Sequence, residues 1–511
     1  MISKINSIAI NWLHFDIIEV EVDINNWLPS FTIVWLPDKW VQESKERLRS
    51  AIKSSNFKIP SSRITVNMAP ADIKKTWPIF DLSIAVWILL NQKILSNFYI
   101  NKSIFIWELS LDWRLRRVDG VLPSVIWAKE NWFERIFIPV DNSYEASFIP
   151  WIDVIWVDSL SDLISQLNKT KPLNILEKVD FLSFNKKTEK SNYDFKYILW
   201  QEHAKRALEI AASWWHNIIM SWPPWSWKTM LSKTFSTILP DMTIDESIEV
   251  SKIYSISWYL DSNNPLIINR PFRAVHHTAS SISIIWWWRN AKPWEISLAH
   301  RWVLFLDEIL EFNKSVLEVL RQPLEDWEIN INRANASFRY PSKFILVWSM
   351  NPCPCWFLTD PDRECIDSAE QIKKYRSKLS WPLVDRIDLF IEVSKVDTNK
   401  FKIDWDYSNV ETSLDIKNRV ENSRKIQELR FKWSSLKFNS EMTTKDINKY
   451  CHLDIETEEI LKKAVDSMNL SARSYYRIIK LSRTIADLAW VKDIQKQHLL
   501  EAISYRKKDD N

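Results

Sequence analysis

The sequence predicts an α/β chain of three domains, and three observations carry that reading. Residues 1 to about 168 alternate strand-like runs with helix-like ones. Residues 195 to about 395 contain two apolar strands, each ending in a motif suited to phosphate or metal chemistry. Residues 413–511 are helical in period and close on a charged tail. The length of 511 residues is enough for two to four domains.

In the first region, Ile17-Ile18-Glu19-Val20-Glu21-Val22 alternates in part, and Ser30-Phe31-Thr32-Ile33-Val34 and Ile64-Thr65-Val66-Asn67-Met68 are β-branched runs, so all three are expected as strands. Residues 44–54 have the spacing of an amphipathic helix, which makes this an α+β domain. Residues 169–194 are rich in Lys, Asn, Ser and Thr and are expected as a linker. A nucleotide domain follows at 195–395, then a connector at 396–412 and the helical domain at 413–511.

The strand His216-Asn217-Ile218-Ile219-Met220 precedes Ser221-Trp222-Pro223-Pro224-Trp225-Ser226-Trp227-Lys228-Thr229, after which a helix is expected. With glycine in place of Trp this is G-x-x-x-x-G-K-T, met by Trp222, Trp227, Lys228 and Thr229. Such a loop turns successive backbone N–H groups toward phosphates, while its Lys reaches the β- and γ-phosphates and its Thr hydroxyl binds Mg²⁺. Indoles at 222, 225 and 227 would fill that cradle. Usage of about 7% corresponds to roughly 36 glycines in a chain of this length. This chain has one glycine and 31 tryptophans. A globular chain also needs positive-φ positions that one glycine cannot supply. We therefore expect most of these tryptophans to be glycine in the authentic protein, the UGA codon having been read under the standard code.

The second motif is Val303-Leu304-Phe305-Leu306-Asp307-Glu308, an apolar strand ending in two carboxylates. Asp307 is expected to hold the Mg²⁺ shell, and Glu308 to orient and polarise the attacking water. The solvated-strand-end reading of this pair loses weight with the phosphate loop upstream.

Several further segments show a resemblance: Glu21-Val22-Asp23-Ile24, Phe31-Thr32-Ile33-Val34-Trp35-Leu36-Pro37-Asp38, Ile64 to Asp72, Arg270-Pro271-Phe272-Arg273-Ala274-Val275-His276-His277-Thr278, Asn351-Pro352-Cys353-Pro354-Cys355 and Ser471-Ala472-Arg473-Ser474-Tyr475. Nearly end to end, the chain resembles the magnesium-chelatase-like AAA+ ATPases of the YifB/ComM family, with Trp standing at family glycines, including a triple glycine at Trp286-Trp287-Trp288. The resemblance implies an N-terminal Lon-protease-like domain, an AAA+ P-loop core and a C-terminal helical lid. It implies ATP and Mg²⁺ as cofactors. Asn351 matches the sensor-1 residue that helps hold the attacking water, Arg386 an arginine finger reaching a neighbouring subunit, and Arg473 a sensor-2 residue contacting the γ-phosphate. A finger acting in trans needs a ring, and the family expectation is a homo-hexamer. A surface salt bridge is the bland alternative for either arginine.

The Lon-like domain is expected to lack peptidase activity. Trp77-Pro78-Ile79-Phe80-Asp81 puts Ile79 where the nucleophilic serine would stand, and Pro123 follows Gly120-Val121-Leu122 where the lysine would stand. Cys353, Cys355 and Cys365 are spaced like three ligands of a zinc knuckle. Asp367 occupies the place of a fourth cysteine, so a Zn²⁺ site would be incomplete or use Asp; reduced structural cysteines are the plainer reading. His276, His277 and His300 are expected to order an insertion rather than bind metal. Arg289 and Lys292, in a pore-loop-like insertion, and Arg333 and Arg339, on an expected hairpin, could track a DNA backbone; the alternative is solvated loop charge.

Net charge is +3, so no global field points to nucleic acid, and the four cysteines argue against a disulfide scaffold. No apolar run approaches a membrane span and Met1–Val20 lacks a signal-peptide pattern, so a cytoplasmic protein is expected. The resemblance leads to an ATP-driven hexameric DNA motor, suggesting branch migration or helicase action on transforming DNA. Its rivals are a magnesium-chelatase-type motor subunit and a protein-remodelling ATPase without a DNA role.

Overall fold

A computed structural model describes residues 5–11, 14–25, 28–34, 38–55, 57–70, 80–96, 99–100, 102–106, 108–109, 115–149, 152–179, 193–222, 228–257, 259–260, 266–270, 272–276, 295–333, 336–358, 360, 362–393, 410–434 and 436–506. The chain divides into two compact units, residues 1–188 with 243–268, and residues 189–242 with 269–511. The described residues include no helix long and apolar enough to cross a membrane.

The first unit is built on a mixed seven-stranded sheet. Its strands are β1 (Ile5–Asn11), β2 (His14–Asn25), β3 (Ser30–Ile33), β4 (Arg63–Ala69), β5 (Ser103–Phe105), β8 (Arg135–Pro139) and β9 (Asp153–Val157), in the order β3-β4-β2-β1-β5-β8-β9. Two short strands, β6 (Glu108–Leu109) and β7 (Leu115–Arg116), pair separately. The three strands expected from sequence all form. In β4, Ile64, Val66 and Met68 are buried while their neighbours are not, the period-two pattern of a sheet face. Strand β8 reads as a continuous apolar run because both of its faces are covered. Phe137 joins one core with Val20, Val66 and Leu82, and Ile136 and Ile138 join another with Val125 and Val154. The helix Asp81–Asn91 is buried from Asp81 through Leu89, and each fully buried aliphatic side chain there contributes about 1.5–3 kcal/mol. The expected helix at 44–54 is the end of a longer one, Asp38–Ser54.

Asp81 is fully buried and receives Arg47 Nε at 2.6 Å. Pro123 lies in the helix Val121–Glu130, entered through Gly120 at φ 77°. Trp77, Pro78 and Ile79 lie outside the described residues.

Residues 243–268 depart from the boundaries read from sequence, which ran the nucleotide domain unbroken over 195–395. The helix Ile244–Ile256, opened by a Thr243/Glu246 capping box, packs in the first unit. Its Ser255 Oγ donates to Glu145 Oε1 at 3.0 Å, and Leu266 joins the Val125 core. The apolar face of this helix is matched by the first unit, a choice that period alone does not reveal.

The second unit carries a five-stranded parallel sheet. Its strands are β10 (Ile218–Ser221), β11 (Phe272–Val275), β12 (Val303–Leu306), β15 (Ile345–Met350) and β16 (Leu389–Glu392), in the order β11-β12-β15-β10-β16. A hairpin of β13 (Glu328–Arg333) and β14 (Ala336–Pro341) precedes β15, as expected from sequence. The C-terminal helices Ser413–Phe431, Thr444–Tyr450, Ile455–Ser467, Ala472–Leu488 and Lys496–Ser504 share the sheet's core, where Val420, Leu461, Ile478 and Leu499 meet Ile218, Val303 and Val347. Side-chain caps at Thr412, Thr443, Asp454 and Ser471 start four of them. The whole is a mixed α/β protein with a parallel sheet and a helical C-terminal region.

The described residues include twelve non-glycine residues at positive φ, and six are tryptophan: Trp132, Trp200, Trp215, Trp327, Trp356 and Trp490, at φ 59–74°. Trp215 and Trp327 end the helices Glu202–Trp214 and Arg321–Asp326 in the left-handed conformation, the position where helices favour glycine. Trp132 is 88% exposed.

Candidate nucleotide site

The site is assembled at the carboxyl ends of three parallel strands, where open α/β sheets place their ligands. Strand β10 leads into the phosphate loop, β12 ends at Asp307 and Glu308, and β15 ends at Asn351. Register aligns them, since Ser221 of β10 pairs Met350 of β15 and Leu306 of β12 pairs Trp348. Trp222 N–H donates to Met350 O at 3.0 Å, which ties the loop's first residue to β15. Residues 223–227 lie outside the described residues.

Lys228 opens the helix Lys228–Phe235, which also contains Thr229, and its Nζ donates to Asn351 Oδ1 at 2.7 Å. Burial pulls the Lys228 pKa below its ordinary value, and the carboxylates of Asp307 and Glu308 pull it back in part. Asp307 is held by Ser349 Oγ, and the same Ser349 oxygen accepts the Glu308 N–H at 3.2 Å. Glu308 itself sits at φ 53°, ψ 52°. Further along, Tyr375 Oη donates to Glu311 Oε1 at 3.1 Å, and burial followed by that carboxylate raises the phenol's pKa.

Ser349 and Tyr375 were not singled out from sequence. Ser349 had a signal: it lies two residues before Asn351, on the same face by strand alternation. Tyr375 had none.

The two arginines lie elsewhere. Arg386 is three residues before β16, whose first residue, Leu389, pairs Ile218 at the start of β10. Asn217 Nδ2 donates to Arg386 O at 3.4 Å, which puts that backbone at the amino edge of the sheet. Four-residue strands span roughly 13 Å, so Arg386 is a sheet's width from the Lys228 edge. Its guanidinium is nearly buried and is bound by Glu325 and Pro382 O. Arg473 reaches the other oxygen of the same carboxylate, Nη2 to Glu325 Oε1 at 3.4 Å. The bond from Arg386 holds Glu325 below the ordinary carboxylate range, although burial opposes it. Beside this pair, Ser471 and Ser474 donate to Asp385 Oδ1 at 2.9 and 3.1 Å.

The segment around Arg473 therefore docks on Asp385-Arg386, and the two arginines share one anion. Lys228 meets Asn351, and the carboxylates of Asp307 and Glu308 act on its charge. Arg473 does not join them, because the helix Ala472–Leu488 is anchored through its N-terminal serines to Asp385, next to Arg386.

His216 Nδ1 lies 3.2 Å from Asp388 Oδ2, and Arg477 Nη1 donates to Oδ1 at 2.7 Å. Burial pushes the Asp388 carboxyl up, but these two partners outweigh it and hold it far below the usual range. His300 is buried, and its Nδ1 accepts the Lys343 N–H at 3.1 Å, a tie to the start of β15. His276 is exposed. Arg339 is exposed on β14, whereas His277, Arg289 and Lys292 lie outside the described residues. Cys353, Cys355 and Cys365 come together after β15, with Asp367 beside them.

Comparison with known proteins agrees with this architecture. Residues 194–401 match the family described as magnesium chelatase, subunit ChlI; residues 20–142 match subunit ChlI of Mg-chelatase; and residues 410–506 match its C-terminal region. The competence protein ComM of Haemophilus influenzae is 39% identical over 494 residues, covering 96% of this chain and 94% of that protein. An uncharacterized protein YifB of Escherichia coli is 34% identical over 489 residues, covering 96% and 94%. An uncharacterized protein of Mycobacterium tuberculosis is 33% identical over 501 residues, covering 98% and 97%.

Proposed function

This chain belongs to the YifB/ComM family of magnesium-chelatase-like proteins, and from that premise we propose that it is an ATP-hydrolysing AAA+ ring motor that works on DNA. The observation that carries the ATPase reading is the junction of Lys228, Asn351, Asp307 and Glu308 at one sheet edge. A half-buried ammonium with a lowered pKa beside two carboxylates suits a polyanion accompanied by a divalent cation. When bound, Mg²⁺·ATP supplies the transferable phosphoryl group and its counter-charge. Lys228 would hold the β- and γ-phosphates. Asp307, steadied by Ser349, and Thr229 would complete the metal's shell. Glu308 would orient and polarise the attacking water, with Asn351 as its second partner.

Arg386 stands at the opposite sheet edge, so its service to a nucleotide requires a neighbouring copy, and the ring proposal rests on that separation. Arg473 shares Glu325 with Arg386 and would serve the same neighbour rather than its own chain's phosphates.

The DNA half draws on the printed description of the Haemophilus influenzae relative as a competence protein and on the exposed Arg339 of the β13–β14 hairpin. Its test is ATPase rate with forked DNA, blunt duplex and no DNA. The forked substrate is expected to stimulate hydrolysis and to be unwound or migrated. A rate indifferent to all three would overturn the DNA role and leave a protein-remodelling motor. The family description keeps a second reading in play, a chelatase-type motor subunit, which would require a protein partner and Mg²⁺ insertion into a tetrapyrrole in place of a DNA response.

We also propose that glycine occupies most of the tryptophan positions in the authentic protein. Six tryptophans at positive φ support this, as do Trp222 and Trp348, whose fully buried indole N–H groups have no hydrogen-bond partner at about 1–3 kcal/mol each. Glycine at 222, 225 and 227 would leave open the phosphate cradle that indoles at those positions would fill. The intact mass is expected to fall well below 60.9 kDa. A measured mass equal to that value would end the proposal.

A further inference from the structure

The thiols after β15 form a cluster that the nucleotide chemistry leaves unused. Cys353, Cys355 and Cys365 are free cysteines with Sγ–Sγ separations of 3.4, 3.5 and 3.7 Å. These are far longer than a disulfide at about 2.05 Å. They are close to the edge of about 3.8 Å expected for a tetrahedron of sulfurs around Zn²⁺ at about 2.3 Å. Asp367 closes the figure: its Oδ2 is 3.9 Å from Cys365 Sγ, and all four ligand atoms lie within 4.8 Å of one another. A cluster of several irons would hold its sulfurs farther apart than this.

The backbone N–H groups of Phe357 and Ile366 point to Cys355 Sγ, and that of Leu358 to Cys353 Sγ. Asp367 Oδ2 also accepts the Cys355 N–H at 2.8 Å. Donors aimed at ligand atoms are the usual outer shell of a bound metal. Cys353 is fully buried and the other three are half-buried, so the site is closed on one side.

We propose that Cys353, Cys355, Cys365 and Asp367 bind one structural Zn²⁺, with Asp367 as the fourth ligand in place of a cysteine. Binding expels the thiol protons to solvent and leaves no open position for chemistry. The site spans a segment fixed at both ends of the nucleotide machinery. Asn351 stands two residues before Cys353, and beyond Asp367 the helix Ala369–Arg376 returns Arg376 Nε to Pro352 O at 3.3 Å and Tyr375 to Glu311. The metal would therefore hold the loop on which Asn351 is placed. That consequence rests on the nucleotide reading; the metal site itself does not.

The test uses the full chain, purified without chelator. Elemental analysis is expected to find about one Zn²⁺ per chain, and Co²⁺ replacement to give thiolate charge-transfer and tetrahedral d–d bands. Competition with a chelator should show Asp367→Ala weakened by at least the ~10–100-fold that loss of an outer-shell partner costs, and Asp367→Cys retaining the metal. A folded wild-type chain that takes up no Zn²⁺ and shows no Co²⁺ bands overturns the site, whatever the variants do. ATP turnover is read separately. Turnover unchanged on zinc removal, with Lys228→Ala still inactive, would leave the ATPase standing and remove only the link to Asn351.

Discussion

Lys228→Ala is expected to abolish ATP binding, while Glu308→Gln binds ATP and fails to hydrolyse it. Lys228 is the half-buried cation at the phosphate loop, and its ammonium, held by Asn351, faces Asp307 and Glu308. Charge-assisted hydrogen bonds contribute about 1.5–3 kcal/mol each, and alanine removes all of those made by Lys228 to phosphate. The same substitution removes the cation that faces Asp307 and Glu308, which further disfavours a polyanion.

Glu308→Gln is a different kind of change. The Glu308 contact with Ser349 runs through its backbone N–H, so the amide side chain leaves that tie intact. Asp307 keeps its own bond to Ser349. What disappears is the carboxylate that polarises water, and loss of such a group costs typically ~10²–10⁴ in rate. Fluorescent-nucleotide binding and phosphate release on the two variants separate these effects. Equal loss of binding in both would refute the assigned roles.

Arg386→Ala is expected to bind ATP normally, hydrolyse it slowly and act dominantly in mixed rings. An arginine finger contributes ~10³–10⁵ in rate in well-studied nucleotide hydrolases. Arg386 lies at the amino edge of the sheet, and its own chain's phosphate loop leaves from the carboxyl edge. Mixing with wild-type subunits should depress activity beyond the mutant fraction. A Lys228→Ala subunit should instead lend its Arg386 to a wild-type neighbour.

The fold should tolerate Arg386→Ala. Glu325 is 48% exposed and keeps Arg473 within 3.4 Å, so removing the nearly buried Arg386 leaves no isolated buried charge behind. A dilute monomer hydrolysing at the full rate, or activity falling only in proportion to the mutant fraction, would rule out action in trans.

The strands β2, β3, β4, β10 and β12 and the Lys228 helix were legible because each depends on local alternation or period. The same holds for the chemistry at their ends. A phosphate loop, a carboxylate pair and a polar residue at three strand termini need only a parallel sheet to bring them together, and apolar runs such as Val303-Leu304-Phe305-Leu306 imply one. The need for left-handed positions was legible in the single glycine, but that Trp215 and Trp327 take two of them, each ending a helix, was not.

Other features depend on contacts across many residues that no local pattern encodes. Glu325 is an ordinary acidic residue in the helix Arg321–Asp326, and only packing sets it between Arg386 and Arg473. The resemblance gives Arg473 as a residue contacting the γ-phosphate, and the bonds from Ser471 and Ser474 to Asp385 hold its segment beside Arg386. Residues 243–268 carry apolar positions that either unit could have buried, and the fit against the first unit's core decided between them. Asp367 reads as a gap in a cysteine pattern until the loop folds its carboxylate against three sulfurs. Sequence alone determined which chemical groups the chain carries and which strand end presents them, because bonded geometry and side-chain period act over a few residues. Tertiary structure decided which of those groups share a site, because that depends on how distant segments fill a common core.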